Sequence, residues 1–497
     1  MDTNAHPLLD GLDDAQRQAA AAVDGPVRII ACAGAGKTRT ITRRIAYGCA
    51  SGAWDPARTL AVTFSVKAAT EMRERLRGLG VPDGVRAATF HSAALRQCRE
   101  AWPDLCEGDF PDVLDDKREV VGTAIVRATG GHAEPRVIAD TEKEIDWCKV
   151  SLVTPDDYLR VCAATGREAP APWTPEQLRT IYREYEDEKT KRMAIDFNDI
   201  LLIVAHIFDA GDDVARRLRH GIGWLTVDEY QDVSPLQHLL MRAWLGDNRN
   251  VCVVGDPAQT IYSFAGATSY YLEEFGREFA PLAEDIALRT DYRSVPPIVS
   301  QANAVLRRAP RRDGYVVFKP ARDGGARVAS AIYEDDTAEA RAVAGRLRQL
   351  IAQGVKARDC AVLTRLQAQQ PLIVRALREQ GVPYQVKRDA GSLASAAAAD
   401  APASATPLDS LEAVENGRVT ISTIHASKGL EFKHVFLVGL SDGLLPYFAS
   451  TDPVRLEEER RLLYVGVTRA MDTLHLSYAR HQDGRGGRPR LLTRFLQ

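Results

Sequence analysis

The stretch from Ile29 to Thr40, IIACAGAGKTRT, constrains the fold more than any other part of the chain. Val27–Ala31 is a short apolar run with β-branched residues, the pattern of a buried strand. Ala33, Gly34, Ala35 and Gly36 form a small-residue loop, and Lys37-Thr38 open a helix-like run that reaches Tyr47. A strand, a flexible loop and a helix N-terminus together make a cradle for phosphate. Backbone N–H groups approach the ligand where side chains are small, and the helix dipole favours negative charge. In such a loop Lys37 reaches the β/γ-phosphates of ATP and the Thr38 hydroxyl sits on Mg²⁺. The usual pattern, G-x-x-x-x-G-K-[ST], has glycine where this chain has Ala31. Alanine fits if that residue is still strand-like, because only positive φ demands glycine. A plain Gly/Ala turn leaves Lys37 and Thr38 at these offsets unexplained.

The second half of such a site is a carboxylate on the metal at the end of another buried strand. WLTVDEYQD supplies it: Trp224–Val227 reads as a strand with Asp228-Glu229 at its C-terminal end. Asp228 is the metal candidate, and Glu229 the candidate base that orients and deprotonates an attacking water. A third strand, NVCVVGD, ends at Gly255-Asp256, and Gln259 just beyond it is placed to sense a γ-phosphate. Tyr262 and Phe264 follow closely, and composition alone leaves two readings for them: core rings, or rings that contact a ligand. Cys32, inside the loop, also has two readings, a small packing residue or a thiol activated by the helix dipole.

Taken in order, these segments resemble the UvrD/Rep/PcrA family of superfamily-one DNA helicases. LDDAQRQAA is similar to the family's adenine-recognising segment, and ACAGAGKTR to its phosphate loop, which also carries Ala first. AVTFSVKAATEM and TFHS look like DNA-contacting segments. DFNDIL, VDEYQD, VGDPAQTIYSFAGA, DYRS, TIHASKGLEF and EERRLLYVGVTRA complete the series from Asp13 to Ala470. The resemblance implies that Gln16 reads adenine, that Arg39 and Tyr292 sandwich it, and that Glu431 contacts the ribose side. It implies that Arg293 and Arg469 are arginine fingers reaching the γ-phosphate from a second motor domain; a planar, permanently charged, bidentate group suits that role. By motif position Phe64, His91, Tyr262 and Phe264 become candidate single-stranded DNA contacts, with Tyr447 a weaker one. Three departures stand out. Phe264-Ala265 replaces the usual Trp-Arg, Val66 replaces the usual Asn, and no second inserted domain is found.

Further strand-like runs (286–288, 360–363, 419–422, 434–438, 473–477) alternate with helical stretches, which argues for parallel sheets covered on both faces. The expected fold is α/β: two RecA-like parallel-sheet motor domains with a mostly helical domain inserted in the first. The expected boundaries are 1–90 plus 196–286 for the first motor, 91–195 for the insert, and 287–389 plus 410–497 for the second motor. In 174–185, Thr174 reads as an N-cap with Pro175 first in the helix, Gln177 completing a capping box, and Leu178, Ile181, Tyr182 and Tyr185 as a packing stripe. Residues 390–409, rich in Ala, Ser and Pro, read as a linker where the family carries its second inserted domain. No nuclease segment is expected after the last strand.

The net charge of −3 excludes a globally basic protein, so a nucleic acid would need a local groove. Basic residues after the last strand (Arg480, Arg485, Arg488, Arg490, Arg494) either line such a groove or are merely solvated. Eight sparse cysteines without metal spacing fit a reduced cytoplasm, and no apolar run spans a bilayer. The expectation is therefore an ATP- and Mg²⁺-dependent translocase or helicase on single strands and single–double-strand junctions. The resemblance alone implies 3′ to 5′ polarity. Two alternatives are a DNA-stimulated motor subunit that borrows grip from a protein partner, and a clamp that holds ATP without turnover.

Overall fold

The computed structural model describes residues 6–310, 314–387, 417–448, 451–482 and 489–497. In chain order, the strands of the first half are Val27–Ala31 (β1), Thr59–Thr63 (β2), Arg86–Thr89 (β3), Asp112–Val113 (β4), Ala194–Ile195 (β5), Trp224–Val227 (β6), Val251–Gly255 (β7) and Glu284–Leu288 (β8). Those of the second half are Thr290–Asp291 (β9), Lys319–Pro320 (β10), Ala329–Asp335 (β11), Cys360–Thr364 (β12), Tyr384–Val386 (β13), Val419–Thr423 (β14), Phe432–Leu437 (β15) and Ala470–His481 (β16). Two six-stranded sheets result, in the orders β3-β2-β6-β7-β1-β8 and β11-β16-β15-β12-β14-β13. Every pairing within them is parallel. The central strands β2, β7, β12 and β14 are buried along their whole length. That is why they read as unbroken apolar runs: a parallel sheet is covered by helices on both faces.

Sheet pairing moves one expected boundary. β8 follows β1 in register as far as Ala31 opposite Leu288, so the first sheet ends beyond residue 286. The helix Phe90–Leu105, expected in the insert, packs instead in the first lobe. Its Phe90, Ala94, Cys98 and Ala101 share a core with Ile200 and Trp244, and the Phe90 and Trp244 rings stack at 5.6 Å. Helical periodicity shows that a helix has an apolar face but not which core receives it. The insert's own core lies among the helices Arg118–Thr129, Pro135–Val150, Tyr158–Thr165 and Pro175–Lys191. The Thr174–Gln177 capping box is present, with Pro175 in the first turn and Leu178, Ile181, Tyr182 and Tyr185 buried.

A buried charge cluster fastens the insert to the first lobe. Asp196, the N-cap of the helix Phe197–Ala210, accepts from Lys149 Nζ at 2.7 Å, Lys189 Nζ at 3.0 Å and the Tyr185 hydroxyl at 2.9 Å. The acidic group Glu186, Asp196 and Asp199 is thus already filled by two ammonium groups.

The two lobes share one apolar core. Ile29, Val254 and Leu288 of the first lobe connect through Val295, Ile298 and Val305 to Leu437, Leu463 and Val467 of the second. The C-terminal stretch also belongs to the second lobe: Phe495 is fully buried, Arg494 pairs with Asp442 at 2.7 Å, and Arg490 pairs with Asp336. Arg485, Arg488 and the expected linker at 390–409 lie outside the described residues. Among the described residues no helix is long and apolar enough to cross a membrane.

Candidate functional site

The site forms where β1, β6 and β7 end side by side and the second lobe closes over them. In a parallel sheet the carboxyl ends of the strands open onto one crevice. β1 leads into the loop 32–36 and the helix Lys37–Ala50. Ala31 is strand, with its neighbour Ile30 opposite Gly255, so alanine at this position meets no strain. Gly34 and Gly36 have φ of +72° and +75°, where a side chain is strained. At Gly34 space forbids one as well: a Cβ would lie 1.9 Å from Asp291 Oδ1 and 2.9 Å from Arg293 Cβ. Both of those groups follow the first sheet and approach the second lobe. The loop is therefore already part of the seam, and Gly34 O accepts from Tyr292 N at 3.0 Å.

Lys37 Nζ stands 3.7 Å from Glu229 Oε2. Burial works against the lysine's charge, but Glu229, Asp256 and Asp228 outweigh it and raise its pKa. Asp228 and Glu229 are adjacent carboxylates, the first buried and the second half-buried, with opposite fates. Burial, and then the Glu229 charge, push Asp228 up to about 7. Desolvation also raises Glu229, but Lys37 and Lys428 hold it down to about 2. Glu229 also has φ +52°, ψ +39°, a left-handed conformation that costs a residue with a side chain about 1 kcal/mol or more. Strain of this kind marks a side chain aimed by its surroundings. Gln231 Nε2 donates to it at 2.5 Å.

Among the described residues Asp228 forms no salt bridge of its own, accepting from Glu229 N at 2.9 Å, and the Thr38 hydroxyl takes no hydrogen-bond partner. Hard oxygen donors and a buried carboxylate suit Mg²⁺.

Two arginines enter from the far side. Arg469 is buried, donating through Nε to Val465 O and through Nη1 to Leu430 O, each at 3.0 Å. Its Nη2 lies 3.5 Å from Gln259 Oε1. Burial, and then the Arg293 charge, lower its pKa to about 10, which still leaves it charged at neutral pH. Arg293 donates to Thr468 O at 3.2 Å and pairs with Glu431. The resemblance gives Arg293 and Glu431 separate nucleotide contacts; here they hold each other.

At the other end of the loop Gln16 is buried with both ends of its carboxamide engaged. Oε1 accepts from Asp13 N at 3.2 Å, and Nε2 donates to Ala35 O at 2.9 Å. The structure thus uses Gln16 to hold the phosphate loop against the helix Asp14–Ala21. Arg39 donates to Gly11 O at 2.9 Å, and the Tyr292 hydroxyl donates to Asp13 Oδ2 at 2.5 Å. The three residues implied for adenine therefore gather on one short segment, 11–16.

The four candidate DNA contacts are not equivalent. Phe264 is 66% exposed, with ring centroids 6.1 Å from Tyr262 and 5.8 Å from His425 of the second lobe. Its loop is seated against the insert, since a Cβ on Gly266 would meet Val150 at 2.5 Å. Tyr262 is a seam residue: its hydroxyl donates to His425 O at 3.0 Å, and Lys428 Nζ lies 5.0 Å over its ring. The ammonium occupies one face of the ring. Phe64 packs edge-on to Phe90 at 5.9 Å and borders the core. His91 has a sequestered Nε2 with no partner among the described residues, and burial lowers its pKa to about 4. Tyr447 accepts the Arg365 guanidinium over its ring at 5.4 Å. Cys32 is buried, and burial followed by Asp256 pushes its thiol well up, which removes the activated-thiol reading.

Sequence reasoning missed several side chains that join the lobes. Lys428 Nζ reaches Asp232 Oδ2 at 2.5 Å, Oδ1 at 2.8 Å and Gln259 O at 2.6 Å. Arg461 donates to Thr260 O at 2.7 Å, and Glu458 accepts from Ser263 N at 3.1 Å. All seven residues lie in segments quoted above, but nothing in a single segment tells which partner its charge meets.

The comparisons with known proteins agree along the chain. The UvrD/REP helicase N-terminal domain matches residues 12–280, and the UvrD-like helicase C-terminal domain matches 286–391 and 404–481. The chain is 36% identical to the ATP-dependent DNA helicase UvrD2 of Mycobacterium tuberculosis over 586 aligned positions, covering 100% of this chain and 82% of that protein. It is 26% identical to the ATP-dependent DNA helicase PcrA of Bacillus subtilis, covering 96% and 84% of the two chains. It is 33% identical to the ATP-dependent DNA helicase UvrD1 of Mycobacterium tuberculosis over 77% of this chain and 50% of that one.

Proposed function

This chain belongs to the UvrD/Rep helicase family, and from that premise we propose that it couples ATP hydrolysis to movement along single-stranded DNA, opening duplex ahead of it. Arg469 of the second lobe, 3.5 Å from Gln259 of the first, carries this reading. A nucleotide in the Lys37 cradle is then touched from both lobes, so each hydrolysis event alters how they dock. In the proposed cycle Lys37 and the loop N–H groups would hold the triphosphate, and Thr38 and Asp228 would hold Mg²⁺. The metal neutralises phosphate charge when bound. Glu229, ionised at neutral pH, orients a water and takes its proton. Gln259, Arg293 and Arg469 stabilise charge that develops on the terminal phosphate. Gln16, Arg39 and Tyr292 take the adenine, and Glu431 the ribose, once Arg293 turns away from it. Phe264 offers a sequence-tolerant stacking surface, worth about 1–3 kcal/mol per base, at the line where the lobes move. Phe64 and His91 border the same strand path on the first lobe.

One observation favours a second reading, a DNA-stimulated motor that unwinds little by itself. The alignment to the UvrD2 helicase runs to 586 positions against 497 residues here, so that relative carries stretches without counterpart in this chain. Residues 392–403, unmatched by the family's C-terminal domain, are one place for such a difference. A protein partner would then supply part of the grip on the single–double-strand junction.

Strand displacement on duplexes with a 3′ or a 5′ overhang tests both readings. Movement from 3′ to 5′ predicts displacement from the 3′ overhang only. Displacement from the 5′ overhang refutes the polarity, and none from either, with DNA-stimulated hydrolysis intact, favours the motor subunit. Lys37→Ala and Glu229→Gln should each abolish turnover; full hydrolysis in both refutes the catalytic assignment.

A further inference from the structure

The phenol of Tyr464 stands where the lobes meet, and no role assigned above uses it. Tyr464 lies on the helix Pro453–Val467 of the second lobe, just ahead of Arg469, and is 1% exposed. Its hydroxyl contacts the first lobe twice. It accepts from Ala33 N of the phosphate loop at 3.4 Å and donates to Asp256 Oδ2 at 3.1 Å. Asp256 is in turn the N-cap of the turn Pro257–Gln259. It accepts from Ala258 N at 3.0 Å and, through Oδ2, from Gln259 Nε2 at 2.8 Å. The other end of that carboxamide, Oε1, faces Arg469 Nη2 at 3.5 Å. Tyr464, Asp256, Gln259 and Arg469 therefore close a ring, completed by the end of the helix that carries both Tyr464 and Arg469.

The ring has two donors from the second lobe and two groups from the first. Asp256 is buried, so each hydrogen bond it loses leaves a costly unsatisfied charge. If the second lobe withdraws, Asp256 loses the phenol, Ala33 loses its acceptor, and Gln259 loses the arginine that faces it. Volume alone does not call for a hydroxyl here, because the ring is already held edge-on by Phe318 at 6.3 Å. We propose that Tyr464 is a positioning residue: its hydroxyl registers the docked second lobe and, through Asp256, sets Gln259 toward the terminal phosphate. This deepens, and rests on, the ATP-hydrolysis reading given above.

Tyr464→Phe removes one oxygen and keeps the ring. Steady-state hydrolysis, at saturating single-stranded DNA and normalised to the folded fraction from circular dichroism, should show kcat about tenfold lower, or about 1.4 kcal/mol. KM for ATP should stay within about twofold, because the bond acts through Gln259 rather than on nucleotide binding. Asp256→Asn should give a similar loss, and the double variant should be no slower than the slower single, since both break one chain of contacts. An unchanged kcat in Tyr464→Phe, a loss confined to KM, a loss that vanishes on normalisation, or additive losses in the double variant would each overturn the proposal. Lys37→Ala run in parallel separates the two levels. Hydrolysis that survives it sinks the ATPase reading itself; hydrolysis lost there but intact in Tyr464→Phe sinks only the role of Tyr464.

Discussion

Lys428→Met removes the ion pair that crosses the seam, and its effect on stability follows from the pH behaviour of one carboxyl. Lys428 and Asp232 have side chains only 10% and 5% exposed. Burial pushes the Asp232 carboxyl up to about 6, although Lys428 pulls it down. A carboxyl raised above its unfolded value of about 3.9 contributes stability at low pH, and that contribution is lost as pH rises through about 6. Without Lys428 the folded-state pKa climbs further, so the loss continues to higher pH. The part of the wild-type–variant difference that comes from Asp232 should therefore be small near pH 5, where both proteins hold Asp232 largely protonated. Above pH 6 they should separate by about 1.4 kcal/mol per pH unit until the variant's carboxyl ionises, with about 2 kcal/mol at pH 7.5 as the upper bound. The lost bond to Gln259 O adds about 1 kcal/mol at every pH. Urea midpoints for both proteins at pH 5, 6.5, 7.5 and 8.5 measure this directly. A gap that is flat across this range and below about 0.5 kcal/mol would mean a wet, screened pair of the surface kind, and the account of a desolvated seam would fail.

Other substitutions probe separate parts of the site. Phe264→Ala should weaken single-stranded DNA binding by about 1–3 kcal/mol and blunt DNA stimulation while basal hydrolysis survives; a normal DNA response would return Phe264 to a packing role. Gly34→Ala should cost about 1–2 kcal/mol from positive φ alone. It should also force Asp291 and Arg293 off the loop, so hydrolysis should fall steeply; wild-type turnover would show that the loop and Asp291 need not touch. Cys32 should resist iodoacetamide at pH 8 with or without ATP, because burial disfavours its thiolate. Rapid labelling blocked by nucleotide, read by mass spectrometry, would contradict that.

Much of the catalytic machinery was legible because it is contiguous. Ala31 to Thr38 encode a strand, a turn and a helix start within one stretch, and Trp224 to Glu229 place two carboxylates at a strand end in another. Apolar runs located β6 without error and most of the second sheet to within a few residues, since buried parallel strands need nothing beyond their own side chains to announce themselves. Assignments that depend on which surface an element meets were less secure. The helix Phe90–Leu105 joined the first lobe's core rather than the insert's, Tyr262 carries Lys428 on one face of its ring, and Arg293 is paired with Glu431.

The chain's linear order thus determined which chemistry is present: a phosphate cradle and a carboxylate pair, each carried by local spacing that secondary structure converts into direction, with two arginines that only the family resemblance singled out. The tertiary structure alone decided how those parts are joined. Lys428 meets Asp232 across 196 residues, and Tyr464 meets Asp256 across 208. Contacts of that span arise only when two independently wound sheets dock, and a single sequence carries no periodic signal for them.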